Sequence, residues 1–72
     1  MAKVIDALSI RDMTLVALDE DLPMDTKIGN SVRLNGKIVH IYDIPAYDLA
    51  PVHNVLILGV KVEVGDEIMF EK

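Results

Sequence analysis

Apolar and polar residues come in short runs along this chain, and no window holds the three-and-four apolar spacing of a long helix. Runs rich in Val, Ile and Leu alternate with Gly, Pro, Asn and Asp, which is the pattern of an all-β protein. The spacing predicts strands over Lys3–Ser9, Met13–Leu18, Ser31–Leu34, Lys37–Ile44, Asn54–Leu58 and Glu67–Phe70. Residues 4–10, VIDALSI, also tolerate a short helix, so the first segment stays open between the two.

The sharpest local signal is Asn35-Gly36, between VRL and KIVHI. Asn-Gly accepts the two positive φ values of a type I′ turn, whose twist matches that of paired strands. Ser31–Leu34 and Lys37–Ile44 are therefore expected to form an antiparallel hairpin. Two loops bracket it. Residues 19–25, DEDLPMD, carry four acids and a proline and should be exposed. Residues 45–53, PAYDLAPVH, hold two prolines that cannot donate to a sheet ladder, so strand pairing should lapse there.

One phrase occurs twice. KIGNSVRL at residues 27–34 returns as EVGDEIMF at residues 63–70. Each copy sets an apolar residue before Gly, then Asn or Asp, then two alternate apolar positions. Gly29 and Gly65 permit a left-handed backbone. Asn30 and Asp66 can bond their own nearby backbone and fix the turn. Ile28 and Val64 can point back into the core. Each copy thus turns a corner into a new strand, and two corners among six short strands imply a sheet that bends back on itself. The expected fold is a small six-stranded antiparallel β-barrel in a single domain, residues 1–72, closed or nearly closed, which would leave few strand edges exposed.

Composition narrows the functions such a barrel can have. At 72 residues the chain buries only roughly 60% of its unfolded surface, yet 51% hydrophobic residues suffice for a core without metal or disulfide. There is no cysteine, so neither a disulfide framework nor a cysteine zinc site can exist. MAKVIDAL has no long apolar run after its lysine, which argues against a signal peptide. Runs such as Val55 to Leu58 fall far below the roughly 20 residues needed to cross a bilayer. No membrane contact and a cytoplasmic location are expected. The net charge of −5 argues against indiscriminate nucleic-acid binding. The charge is uneven, however: residues 27–61 carry four basic residues against two acids, between acidic flanks, so a mildly basic central face on an acidic body is open beside an ordinary solvated surface.

Catalytic signatures are wanting. Gly29, Gly36, Gly59 and Gly65 are the only glycines, and none precedes Lys-Ser or Lys-Thr, so no phosphate-cradling loop is present and no nucleotide is expected to bind. Ser9, Thr14, Thr26 and Ser31 are possible nucleophiles, with His40 or His53 as base, but no context marks a strained, exposed nucleophile. Asp19, Asp21 and Asp25 fit positions 1, 3 and 7 of a calcium loop, but Met24 stands where Gly is required and Asn30 where Glu is. His40, His53, Asp43 and Asp48 lack a metal-ligand spacing. No cofactor and no metal are expected. Along Lys37–Ile44, alternation puts Ile38, His40, Tyr42 and Ile44 on one face and Val39 and Ile41 on the other, one set filling the barrel. Tyr42 either seals the rim of that barrel or joins Tyr47 in stacking bases, with Arg33, Lys37 and Lys61 meeting phosphates.

The segments MTLVALDEDLP, KIGNSVRLNGKIVHI and NVLILGVKVEVGDEIMF together resemble domain II of the translational GTPases of the elongation factor Tu type. The resemblance spans roughly residues 13–70. It places Ile28-Gly29-Asn30-Ser31-Val32 at the first corner of that small barrel, Asn54-Val55 with the following residues on its late strand, and Gly65-Asp66-Glu67-Ile68 at its last corner. It implies a barrel of the translation-protein type, as a domain alone. A second, weaker similarity is to the barrel protein of H/ACA ribonucleoproteins, carried by the Ile-Gly corner and by IVHIYDIPAY, a strand running into a proline-bearing loop. Both imply a non-catalytic binding module in a translation- or RNA-related complex, contacting protein or RNA within a ribonucleoprotein. The expected contact residues are Arg33, Lys37, His40, Tyr42, Tyr47 and Lys61, and the turns are built on Gly29, Asn30, Asn35, Gly36, Gly65 and Asp66. The alternative is a protein–protein adaptor with no nucleic-acid role, its acidic ends docking on a basic partner.

Overall fold

The computed structural model describes residues 1–45 and 53–70. Six strands form a closed antiparallel barrel: β1 (Ala2–Ile10), β2 (Met13–Leu18), β3 (Ser31–Leu34), β4 (Lys37–Asp43), β5 (Val55–Leu58) and β6 (Glu67–Phe70), in the ring order β1-β2-β5-β4-β3-β6. The segment open to a helix, residues 4–10, is strand. The described residues contain no helix long and apolar enough to cross a membrane.

Alternation decides what fills the ring. On β2, Thr14, Val16 and Leu18 point inward, and on β5 Leu56 and Leu58 do the same. They meet Ala2 and Val4 of β1, Val32 of β3, Ile41 of β4, Ile68 of β6 and Val62 from the last connection. A six-stranded ring is narrow enough for such side chains to fill, so the interior is a packed core. Of the two faces of β4, Val39 and Ile41 are the inward set.

The repeated phrase builds two matched corners. In the first, the Asn30 N–H donates to Lys27 O (3.1 Å) and Asn30 Oδ1 accepts from the Lys27 N–H (2.8 Å). In the second, the Asp66 N–H donates to Glu63 O (3.1 Å) and Asp66 Oδ2 accepts from the Glu63 N–H (2.9 Å). Gly29 and Gly65 sit at φ 91° and 97°. Each corner then grips a strand of the other half. Gly29 N–H donates to Ile41 O, and Ile41 N–H to Asn30 O; Gly65 N–H donates to Val4 O, and Val4 N–H to Asp66 O.

The sequence pattern suggests that Ile28 and Val64 point back into the core. They do not point into the core; they are 61% and 63% exposed. Each is the second residue of a four-residue turn closed by the bonds above. Its side chain stands on the outside of the bend, while the core contact comes from Val32 or Ile68 on the strand that follows.

The match extends around the ring. β1 bulges between Val4 and Asp6 against β2, and β4 bulges between Ile41 and Asp43 against β5. After each bulge an aspartate accepts from the next amide: Ala7 N–H to Asp6 Oδ1 (3.0 Å), Ile44 N–H to Asp43 Oδ1 (2.8 Å). Ala2 opposite Ile68 and Lys3 opposite Glu67 correspond to Val39 opposite Val32 and His40 opposite Ser31. The β3–β6 ladder is symmetric about the pair Arg33–Met69, and the β2–β5 ladder about Val16–Leu56. The barrel is therefore two interlocked three-stranded halves, β1–β3 and β4–β6, with the same internal register.

This equivalence makes a checkable statement. An added Cβ at Gly29 or Gly65 would meet nothing within 4 Å, so the cost of alanine at either is that of the left-handed backbone alone. Gly29→Ala and Gly65→Ala should each lower stability by about 1–2 kcal/mol. The two losses should match in urea denaturation, and a large cost at one with none at the other would contradict the repeat.

Candidate functional site

The Asn35-Gly36 turn forms as its residues require, with φ 50° and 88°. It sets β3 and β4 in the register Leu34–Lys37, Arg33–Ile38, Val32–Val39 and Ser31–His40. Because Val32 and Val39 point inward, Arg33, Ile38 and His40 face out. On its other side β3 pairs with β6, which brings Met69 opposite Arg33. The outer surface over β4, β3 and β6 thus carries a row Ile38–Arg33–Met69, with His40 next along β4 and Tyr42, the bulge residue, beyond it. Ile38 is 58%, Tyr42 60% and Met69 45% exposed. Arg33 Nη1 donates to Gly36 O at 3.4 Å, which ties the guanidinium to the turn. Lys3 and Glu67, opposite each other on β1 and β6, continue the face with one charge of each sign.

Of the residues expected to make contacts, Arg33, His40 and Tyr42 share this surface. Lys37 is exposed at the end of the hairpin, but its position on β4 has the inward parity of Val39 and Ile41, so it stands at the mouth of the barrel beside the others. Tyr42 does not seal the barrel; it projects from the bulge into solvent. Lys61 lies elsewhere. Its neighbours Val60 and Val62 bracket Thr14 on β2, which is across the ring from β3, and its ammonium faces Glu63 Oε1 at 3.9 Å. Tyr47 lies outside the described residues.

Ile38, Met69 and Lys3 were not among the expected contacts. Nothing in the sequence marks an apolar strand residue as outward once its strand has apolar residues at both parities. The signal that could have found Met69 is the repeated phrase itself, since Met69 is the counterpart of Arg33.

A guanidinium between Ile and Met, with a tyrosine nearby, is an assembly suited to contact. Tyr, Met and Arg are the types enriched at protein interfaces, and an exposed tyrosine ring is also a platform for a nucleic-acid base. Among the described residues, no three of His, Asp and Glu are grouped to hold a metal ion. The chain matches no family model, no curated protein and no solved structure.

Proposed function

We propose that this chain is a non-catalytic, cytoplasmic binding module of a translation- or RNA-related ribonucleoprotein, and that it contacts protein or RNA through the outer face of β3, β4 and β6. The observation that carries the reading is the outward-facing row Ile38–Arg33–Met69, with Ile38, Met69 and the neighbouring Tyr42 exposed, on a barrel whose interior is filled by its own side chains. The resemblance to domain II of the elongation factor Tu type supports the setting, as it implies a small barrel with its corners at Gly29-Asn30 and Gly65-Asp66. Arg33 and His40, with Lys37 at the hairpin end, supply the cationic side of the contact.

The purified protein titrated with a mixture of structured RNAs at low salt tests this. Binding should weaken steeply as salt rises. The double variant Arg33→Glu, Lys37→Glu should abolish it, because it removes two phosphate contacts and about 1.8 from the slope of log K against log salt. Its circular dichroism should match the parent, since Lys37 is exposed and Arg33 faces outward. No retention of any RNA at low salt would remove the nucleic-acid part of the proposal.

The second reading, an adaptor that meets protein alone, is favoured by the net charge of −5 and by the apolar neighbours of Arg33. Capture of partners from cell extract separates the two. Partners lost on ribonuclease treatment support RNA as the bridge, whereas partners kept after it and lost with Ile38→Glu support the adaptor.

A further inference from the structure

Asn35 does two jobs in this barrel. Its backbone forms the hairpin turn between the halves, and its N–H and side chain clasp β6. The Asn35 N–H donates to Glu67 O at 2.9 Å, and Asn35 Oδ1 accepts from the Glu67 N–H at 2.9 Å. The pair extends the β3–β6 ladder one step past Leu34–Ile68. The same asparagine is exposed and is followed by glycine, the residue that lets a backbone nitrogen approach most closely. We propose that Asn35 is a site of spontaneous backbone modification, deamidation to aspartate or isoaspartate, which the closed ring holds off and which, when the product is isoaspartate, prevents the ring from closing again.

The chemistry needs only water and base. Base removes the Gly36 amide proton, and the nitrogen attacks Asn35 Cγ. The new C–N bond closes a five-membered imide, the Cγ–Nδ2 bond breaks, and the nitrogen leaves as ammonia after taking up a proton. Water then opens the imide. Attack at the Cγ carbonyl gives aspartate. Attack at the backbone carbonyl gives isoaspartate, in which the main chain runs through Cβ and Cγ. The sum is asparagine plus water going to acid plus ammonia.

The closed ring works against the attack. The Asn35 carboxamide is turned across to β6 by its bond to the Glu67 amide, and Gly36 is fixed at φ 88° in a two-residue turn. Both restraints oppose the approach of Gly36 N to Cγ, so the reaction draws mainly on states in which the hairpin tip has come away from β6. The two products then differ. Aspartate keeps the backbone and an acceptor oxygen at the old position. Isoaspartate lengthens the main chain inside a turn that has room for two residues, and it removes the side chain that reached Glu67.

The experiment is incubation of the purified chain at mildly alkaline pH, native and in urea, with peptide mass spectrometry that separates asparagine, aspartate and isoaspartate at each site. In urea, Asn35 should react ahead of Asn30 and Asn54, which precede Ser31 and Val55. In the native protein, Asn35 should react at least about tenfold more slowly than in urea, a factor set by the population of opened hairpin. On dilution from urea, aspartate-bearing chains should refold and isoaspartate-bearing chains should elute with the unfolded fraction. The variant Asn35→Asp should melt close to the parent. Equal native and unfolded rates would overturn the proposal. A faster native rate would do so too, because it would mean that the Glu67 N–H activates the carbonyl rather than restraining it. Refolding of isoaspartate chains would remove the second half.

Discussion

Thr14→Val should lower the stability of the barrel by about 2–4 kcal/mol, although it changes neither shape nor volume appreciably. Thr14 is the one polar residue among the described side chains that is fully buried. Its hydroxyl donates to Val60 O at 2.8 Å and accepts from the Val62 N–H at 3.2 Å, so it holds the last connection against β2. Valine would leave both backbone groups without a partner. A buried group so stranded costs about 1–3 kcal/mol, and the Val62 amide is deep in the core. A chain of this length has only roughly 4–11 kcal/mol in total. Thr14→Ser keeps both bonds and removes one methyl, so it should cost only about 1 kcal/mol. Urea unfolding of the two variants beside the parent decides the matter: a valine midpoint no lower than that of the parent would show that the hydroxyl contributes nothing.

Leu58→Ala should be at least as damaging, at about 2–5 kcal/mol, because it empties a position with no exposed surface in a ring that cannot collapse without breaking strand pairs. Leu18→Ala should cost the same to within about 1 kcal/mol. Leu18 opposes Val4 beside one bulge and Leu58 opposes Ile41 beside the other, so the two leucines occupy equivalent places. Thermal unfolding measured side by side would sink the equivalence if one variant folded normally and the other did not.

Most of the strand pattern could be read from the residues because it rests on short-range chemistry. Asn35-Gly36 fixes one hairpin by itself, and Val, Ile and Leu between turn residues fix the remaining strands to within one position at either end. The corners were readable for the same reason, since Gly before Asn or Asp is a local device. What was not readable depended on which way a strand faces. β1 has apolar residues at positions 2, 4, 5, 7, 8 and 10, so nothing in it announces the bulge that moves the inward set from Ala2 and Val4 to Ala7. β4 is ambiguous in the same way, and only its pairing with Val32 and Leu58 turns Val39 and Ile41 inward. The position of Lys61, across the ring from Arg33, is a consequence of strand order, which no local pattern encodes. One more local pattern accompanies the bulges. Val4-Ile5-Asp6 and Ile41-Tyr42-Asp43 are a second repeated phrase, and each marks a bulge whose aspartate holds the next amide.

Nothing in the pairing of this ring requires that its halves be one molecule. Around Arg33–Met69 and around Val16–Leu56 each half meets the other in a register that a copy of itself would also satisfy. A peptide of half this length could therefore complete the circuit as a homodimer. The covalent link through Asn35-Gly36 spares this chain the need to find a mate, and lets its halves differ: an arginine on one side of the pseudo-twofold axis, a methionine on the other.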